Sequence, residues 1–537
     1  MKIKKIIYIA LFGLLTQSCI NDLDVSPIDP NTLTTEQIYA SKDNYKGVLA
    51  KCYAALSLSG QQGPGGDPDI MNFDEGYSSF IRLAFYLQDL STDEAVMGSQ
   101  TNGLRDMTTM TWTPNTAVLN AYYARLYQLI GYSNEFLRQT TDEKLNDRGH
   151  NDSAFKAEVA NFRNEAKFLR AYAYWALLDT FGNVPFVTEA DSVSPQFQPN
   201  QISRADLYKY VESELLQIEA SLPSANEYGR VDKTAADFLL SRLYLNAKVY
   251  VGQDKWNEAL TYSEKVINSH YTLAPNYLYN FLADNHTSKE IIWSLPADGV
   301  HAKSNGASTF YVMAQTGGTM LNYLNMGISG GWGNIRLIPE FVNKFDTADQ
   351  NFDAADQNAY TKKDTRALLF NVGHTKDIPV LPGTFQQGYA YTKWRNVDKN
   401  GVKGSDGAYV DTDYPMFRLS EAYLTAAEAA LRLGKTSEAL SHVNKIRTRA
   451  YKNGNGEITS GQLNLNFILD ERGRELAWEL IRRTDLIRHN KFTTADYVWS
   501  WKGYVVEGKA VDAKYNLFPL PAADITANPK LVQNAGY

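Results

Sequence analysis

The segment that decides the fold is residues 161–187, NFRNEAKFLRAYAYWALLDTFGNVPFV. Its apolar side chains recur at intervals of three or four residues, which predicts an amphipathic helix over residues 154–181. One face of this helix carries Phe162, Ala166, Leu169, Ala173, Ala176 and Leu177. Gly182 follows the pattern directly and Pro185 comes three residues later, which is typical of a helix end.

The same periodicity predicts further helices on both sides of this segment. They cover about 117–140, 203–221, 232–251, 255–269, 419–433, 436–450 and 466–490. Two long irregular stretches, 60–115 and 271–415, are rich in Gly, Asn, Thr and Tyr. Loops of this length in a compact domain are functional or disordered, and the aromatic content favours function. We therefore predict a mostly α fold, with a helical scaffold at about 41–270 and 416–537 and a loop-rich ligand-binding insert at about 271–415.

An internal repeat relates two parts of the scaffold at an offset of 180 residues. The first copy carries Ala247, Lys255, Glu258, Ala259, Leu260 and Val266, which match Ala427, Lys435, Glu438, Ala439, Leu440 and Ile446 in the second. Each copy reads as a helix, a tight turn and a second helix. The pattern resembles tetratricopeptide-like helical hairpins.

The N-terminus has the pattern of a secretory leader. Lys2, Lys4 and Lys5 precede an apolar run at residues 6–15, which is too short to span a bilayer, since a spanning helix needs roughly 20 residues. We predict a signal peptide at residues 1–18. Ser18 before Cys19 resembles a lipoprotein processing site, so Cys19 would carry the lipid, residues 19–40 would form a tether and N-terminal extension, and 41–537 would be one domain. An ordinary signal peptide with an incidental Cys19 remains the alternative.

Cysteine usage and charge exclude some classes of protein. With Cys19 lipidated, Cys52 has no intrachain partner, so the fold must rely on its core rather than on disulfides. The formal charge is −7, and loss of the three leader lysines would make it −10. A nucleic-acid-binding protein would show a basic patch or stripe, so we expect no nucleic-acid partner.

Four ordered motifs carry a resemblance to a known family. They are residues 161–187, residues 416–434 (MFRLSEAYLTAAEAALRLG), residues 470–492 (DERGRELAWELIRRTDLIRHNKF) and the C-terminal YNLFPLPAADITANPKLVQNAGY. Over residues 19–537 the chain resembles the SusD/RagB family of surface glycan-binding lipoproteins of Bacteroidetes, especially its starch-binding member.

The resemblance implies a fold, a place and partners. The fold would be α-helical with tetratricopeptide-like hairpins, lipid-anchored and exposed on the outer surface of the cell outer membrane. The protein would capture oligosaccharide or polysaccharide without catalysis and act as the lid of a SusC-like TonB-dependent outer-membrane transporter. No cofactor is implied, although some relatives hold a structural Ca²⁺, and this acidic chain could supply ligands for one at positions that the sequence does not assign.

Candidate sugar-binding residues lie in the loops. A sugar ring has an apolar face and a fringe of hydroxyls, so its site needs exposed aromatic rings beside polar partners. Trp332, within GISGGWGN (327–334), is the best platform because the surrounding glycines have no side chains to bury it. The resemblance places Trp332 on a stacking aromatic of the starch-binding member, Arg82 on a hydrogen-bonding arginine and Asn102 on a neighbouring asparagine.

Two departures from that member put starch itself in doubt. Residues 93–99 contain no aromatic side chain where it has a tryptophan, and Asn305 replaces a stacking tyrosine. Tyr77 and Tyr323 lie in the same loops, with Phe310 and Tyr311, and could rebuild a surface of another shape. The favoured ligand is an α-glucan such as starch, malto-oligosaccharide or dextran, and an unrelated glycan stays open.

Two other functions remain open. One is a structural transporter lid that never contacts glycan. The other is a weak glycoside hydrolase, whose two acids need only meet in space. A G-x-S-x-G pattern at Gly327, Ser329 and Gly331 lacks the strand and helix of a nucleophile elbow, and no H-E-x-x-H pair offers a zinc site. We therefore predict no enzyme activity.

Charged residues within the predicted helices resemble acid/base machinery at first sight. They are Glu165, Arg170, Glu475, Glu479, Arg482 and Arg483. Such arrays more often form ion pairs that hold one helix on the next. We predict that structural role for them.

Overall fold

The computed structural model describes residues 33–60, 62–71, 73–194, 196–451 and 455–537. The leader, Cys19 and most of the predicted tether lie outside the described residues. The α-helices are α1 Thr35–Tyr39, α2 Asp43–Ser57, α3 Phe80–Gln88, α4 Leu104–Thr109, α5 Ala117–Gln139, α6 Asp142–Asp147, α7 Ser153–Thr180, α8 Arg204–Glu219, α9 Lys233–Leu245, α10 Ala247–Val251, α11 Trp256–Ile267, α12 Ala307–Gln315, α13 Pro339–Val342, α14 Leu419–Arg432, α15 Thr436–Ala450, α16 Leu465–Leu476, α17 Arg482–Arg488 and α18 Ala522–Ala527.

Short strands join the loops to this helical scaffold. They are β1 Ala95–Met97, β2 Val184–Pro185, β3 Gln201–Ile202, β4 Ile291–Leu295, β5 Ile335–Leu337, β6 Leu369–Phe370, β7 Ala390–Tyr391 and β8 Tyr414–Arg418. They form antiparallel pairs β1–β5, β2–β3, β4–β8 and β6–β7. The β1–β5 pair holds the chain that follows residue 334 antiparallel to the chain that precedes residue 98.

Helix α7 confirms the prediction made from residues 161–187. It begins after Asp152, whose carboxylate accepts the Phe155 N–H at 2.8 Å and so satisfies a free donor of the first turn. It ends at Thr180, and Gly182 follows in the left-handed region with φ +75°, as glycine after a helix commonly does. The buried side chains of α7 contribute to one hydrophobic cluster that extends from Tyr39 to Leu520.

The two copies of the repeat pack directly on each other. Helices α9 and α11 form one hairpin and α14 and α15 the other, and α11 lies against α14. Ala259, Ala427 and Ala439 are fully buried, and such small side chains let helix axes approach closely. The mostly α fold is confirmed, and no described helix is long and apolar enough to cross a membrane.

Two predicted helices are interrupted in the structure. Residues 232–251 break at Asn246, between α9 and α10, and residues 466–490 break at 477–481, between α16 and α17. In the second break Trp478 and Leu480 adopt positive φ. Their N–H groups donate to the buried carboxylates of Glu94, at 3.0 Å, and Asp89, at 3.3 Å. These tertiary hydrogen bonds replace helical ones, which periodicity alone does not reveal.

The predicted irregular stretches are more ordered than expected. Residues 60–115 contain α3, β1 and α4, and residues 271–415 contain β4 to β7 with α12 and α13. Helix α3 was missed because it has only nine residues. Apolar periodicity identifies a helix over a window of about eleven residues or more, so such a short segment cannot be told from an irregular one.

The predicted ion pairs join different elements and are buried. Glu475 of α16 pairs with Arg418 at 3.0 Å, with Arg366 at 3.2 Å and with Arg449. The Arg230 pair with Glu165 is 2.5 Å long. Removing one partner of such a pair leaves an uncompensated buried charge, which costs about 3–5 kcal/mol. These charges therefore hold α7 and α16 against their neighbours.

Candidate functional site

A buried arginine enclosed by aromatic rings lies at the start of α3. Arg82 is only 5% exposed. Its guanidinium carbon is 3.9 Å from the ring centre of Tyr77, 4.8 Å from that of Phe310 and 5.4 Å from that of Trp332. A cation against ring faces is attracted by the ring quadrupole, and more strongly when desolvated. We name Arg82, Tyr77, Asn305 and Trp332 the Arg82 surface.

Hydrogen bonds fix the Arg82 side chain and leave one donor free. Its Nε donates to the Tyr86 hydroxyl at 2.6 Å, and its Nη1 donates to the carbonyls of Gly76 and Asn305, the latter at 3.5 Å. Burial raises the pKa of Tyr86 to about 12 although Arg82 opposes the shift, so this phenol stays neutral. Among the described residues Nη2 has no hydrogen-bond partner, and the atom is accessible to solvent rather than buried. It can donate to a ligand hydroxyl without moving.

Trp332 is held by its backbone while its ring stays accessible. The residue is 40% exposed. The backbone N–H of Trp332 donates to the Met313 carbonyl at 2.7 Å, and the backbone N–H of Gly333 donates to the Thr316 carbonyl at 2.7 Å. A Cβ on Gly331 would lie 2.1 Å from the Thr316 carbonyl oxygen, so only glycine permits this close approach. The glycines thus fix a rigid loop that presents the ring, as the sequence predicts.

The two asparagine candidates flank this surface. Asn305 contributes its carbonyl to Arg82 and lies beside Gly76. Asn102 is exposed in the loop containing Ser99, whose N–H donates to the Asn334 side chain at 2.8 Å. The structure therefore joins Arg82, Tyr77, Asn305 and Trp332 through contacts and attaches the loop of Asn102 to their edge.

Similarity to known proteins extends over the whole chain. The chain is 36% identical to the "Starch-binding protein SusD" of Bacteroides thetaiotaomicron, and the match covers 100% of this chain and 99% of that protein. A family model described as "SusD family" matches residues 358–537, and another, "Starch-binding associating with outer membrane", matches residues 74–245. The chain belongs to the SusD/RagB family.

Solved structures of SusD-like proteins share this fold. A SusD superfamily protein from Bacteroides thetaiotaomicron has a TM-score of 0.69 at 20% identity, covering 92% of this chain and 99% of that one. Surface glycan-binding protein A from Bacteroides uniformis has a TM-score of 0.67 at 20% identity, covering 92% and 100%. The Bacteroides thetaiotaomicron relative and the Bacteroides uniformis protein are named as binding proteins, in agreement with the prediction that this SusD/RagB chain is not an enzyme.

Three other aromatic candidates occupy different places in this SusD/RagB chain. Tyr323 is 38% exposed, but its ring packs against Phe370, 5.9 Å away, and no contact joins it to Arg82. Phe310 and Tyr311 are fully buried in α12, so they support the surface rather than extend it. Sequence reasoning missed Tyr86 as the partner of Arg82, although the spacing of four residues on a helix is a usable signal.

Neither a nucleophile nor a calcium site emerges from the described residues of this SusD/RagB chain. Ser329 lies in a loop, with its N–H bound to the Gly407 carbonyl at 2.9 Å, rather than between a strand and a helix. Glu264, Glu438 and His442 bring ligand atoms within 4.8 Å of one another. Two carboxylates and one imidazole do not match Ca²⁺, which takes six to eight oxygens. The structural calcium stays a prediction without an assigned site.

Proposed function

We propose that this chain binds oligosaccharide or polysaccharide on the Arg82 surface without catalysing its cleavage. The observation that carries the proposal is the half-exposed Trp332 ring beside an immobilised guanidinium with a free donor. Such a pair offers a stacking face and a hydrogen bond to a sugar ring at once. Because α3 and the glycine loop already hold both groups, little ordering entropy is lost on binding.

The favoured ligand is an α-glucan such as starch, malto-oligosaccharide or dextran. The name of the 36% identical relative and the description of the model that matches residues 74–245 support this class. This chain has fewer stacking rings than the starch-binding family member, because residues 93–99 contain no aromatic side chain and Asn305 replaces a stacking tyrosine. An α-glucan of another linkage, such as dextran, therefore fits as well as starch.

We further propose a place and a partner for this binding step. The chain would be anchored through a lipid on Cys19, exposed at the cell outer membrane, and would close as a lid over a SusC-like TonB-dependent transporter. The family and the description "associating with outer membrane" support the location. Capture by a lid requires only moderate affinity, because closure adds further contacts.

The test is calorimetric binding of residues 20–537 to starch, dextran, pullulan, levan and host-glycan oligosaccharides. We expect one α-glucan class to bind and its chain length to stay unchanged after long incubation, as read by chromatography. Shortened products would favour the weak glycoside hydrolase instead. No binding across the panel would favour a structural lid and overturn the proposal.

A further inference from the structure

An open cleft lies along α2. It has a volume of about 680 Å³, within the 300–1,000 Å³ typical of ligand sites. Helix α2 forms one wall, and Tyr132 of α5 closes one side. The other walls are formed by Gly60, Gly63, Pro64 and Asp69 and by residues 300–303. We name it the Lys51 cleft, after the cation on its α2 wall.

The lining of the Lys51 cleft suits a sugar ring. The Lys51 ammonium lies 4.9 Å from the centre of the half-buried Tyr132 ring. No ion pair or hydrogen bond engages Lys51 within the described residues, whereas Lys46 on the same helix pairs with Glu227 at 2.7 Å. A free ammonium can donate to hydroxyls, and Ala54 with neighbouring apolar atoms offers a surface for the C–H face of a sugar.

Two chain segments connect the cleft to the Arg82 surface. Lys303 lines the cleft and Asn305, two residues later, contacts Arg82. On the other wall Asp69 lines the cleft, and Arg125 binds its carboxylate with two bonds of 2.7 Å. Arg125 also donates to the Ser78 carbonyl at 2.7 Å, one residue beyond Tyr77. The chain before Arg82 and the chain before Asn305 therefore each carry residues of both features, and the buried Arg125 joins Asp69 to Ser78 within the first of them.

We propose that the Lys51 cleft is a second subsite, which receives the part of an α-glucan chain that extends past Trp332 and Asn305. The proposal rests on the proposed function and adds to it a requirement for chain length. A chain too short to pass Asn305 occupies the Arg82 surface alone, whereas a longer chain also contacts Lys51 and Tyr132. Affinity therefore rises with the number of sugar units until the cleft is filled.

The experiment measures calorimetric affinity for maltotriose, maltoheptaose, isomaltotriose and isomaltoheptaose. The variants of residues 20–537 are Lys51→Ser, which removes the free cation, and Ala54→Trp, which fills the cleft. Lys46→Ser is the matched control on the same helix, outside the cleft. We expect both cleft variants to lose about tenfold in affinity for the heptasaccharide that binds, as for a lost hydrogen bond from a charged group, with little change for the trisaccharide.

The outcomes separate this proposal from the proposed function. If the cleft variants bind the heptasaccharide as tightly as wild type while Trp332→Ala does not bind, the second subsite is overturned and the Arg82 surface stands. If Lys46→Ser loses as much as Lys51→Ser, the effect is general to α2 and the subsite is also overturned. If neither heptasaccharide binds wild type, the α-glucan ligand fails and this inference fails with it.

Discussion

At the scale of single residues, Arg82 combines a buried position with a free donor. Its planar guanidinium meets three rings and three acceptors, a geometry that a lysine ammonium does not reproduce. We expect Arg82→Lys to lower glycan affinity at least tenfold in calorimetry. Arg432→Lys, at an arginine that stacks on Trp256 in the scaffold, should leave affinity unchanged. Equal affinity of wild type and Arg82→Lys would show that the Arg82 guanidinium does not contact sugar.

Glu475 shows how burial determines the contribution of an ion pair to the free energy of unfolding. We expect Glu475→Ala to lower the free energy of unfolding by about 3–5 kcal/mol, because Arg418, Arg366 and Arg449 would keep their charges without this partner. Lys209→Ala removes the cation from an exposed pair with Asp206, and because exposed pairs contribute little to stability, a much smaller loss is expected. Urea unfolding measures both, and similar losses would contradict the structural role of the network.

At the scale of elements, the break between α16 and α17 depends on buried carboxylates. Burial raises the pKa of Glu94 from 4.5 to about 8, and its carboxyl accepts the Trp478 N–H. A raised pKa means that the folded state favours the protonated acid. The contribution of Glu94 to the free energy of unfolding is therefore complete below about pH 4.5 and is lost as the pH rises through 8.

The substitution Glu94→Gln tests this pH dependence. Glutamine keeps an acceptor for Trp478 but never ionises. We expect the variant to equal wild type near pH 5 and to exceed it by on the order of 1–3 kcal/mol near pH 8. Urea midpoints at several pH values measure the difference. A difference that shrinks as pH rises would contradict the assigned direction.

Helix α7 and the interrupted helices show what sequence alone predicts. The apolar period of residues 161–177 and the exposure of Trp332 follow from local pattern, since both depend on neighbours in the chain. The short α3 offers too few residues for a periodic pattern. The turn at Trp478 depends on Glu94 and Asp89, hundreds of residues away, which periodicity cannot indicate. The Arg82 surface was predicted in part. Trp332 and Arg82 were each predicted as site residues, whereas the contact between them is tertiary and does not follow from the local sequence.

At the scale of the whole molecule, the helical scaffold and the loop-rich insert have different roles. Stacked hairpins and buried ion pairs give a rigid body, and β1–β5 joins the insert to it near residue 334. We predict that this body is attached to the membrane through Cys19. Cys19→Ala should move the protein from the membrane fraction to the soluble one and abolish metabolic labelling with a fatty acid. A wild-type protein that is found in the soluble fraction and takes up no fatty-acid label would identify an ordinary signal peptide instead.

The central claim is that the exposed ring beside Arg82 binds the glycan. Calorimetry with the best α-glucan of the panel, on Trp332→Ala and Trp256→Ala, tests it most directly. Trp256 is the matched control, because it also lies beside cations, Lys248 at 5.3 Å and Arg432 at 5.4 Å, but on the scaffold. We expect Trp332→Ala to abolish binding while Trp256→Ala binds as wild type does. Retained binding by Trp332→Ala would contradict it.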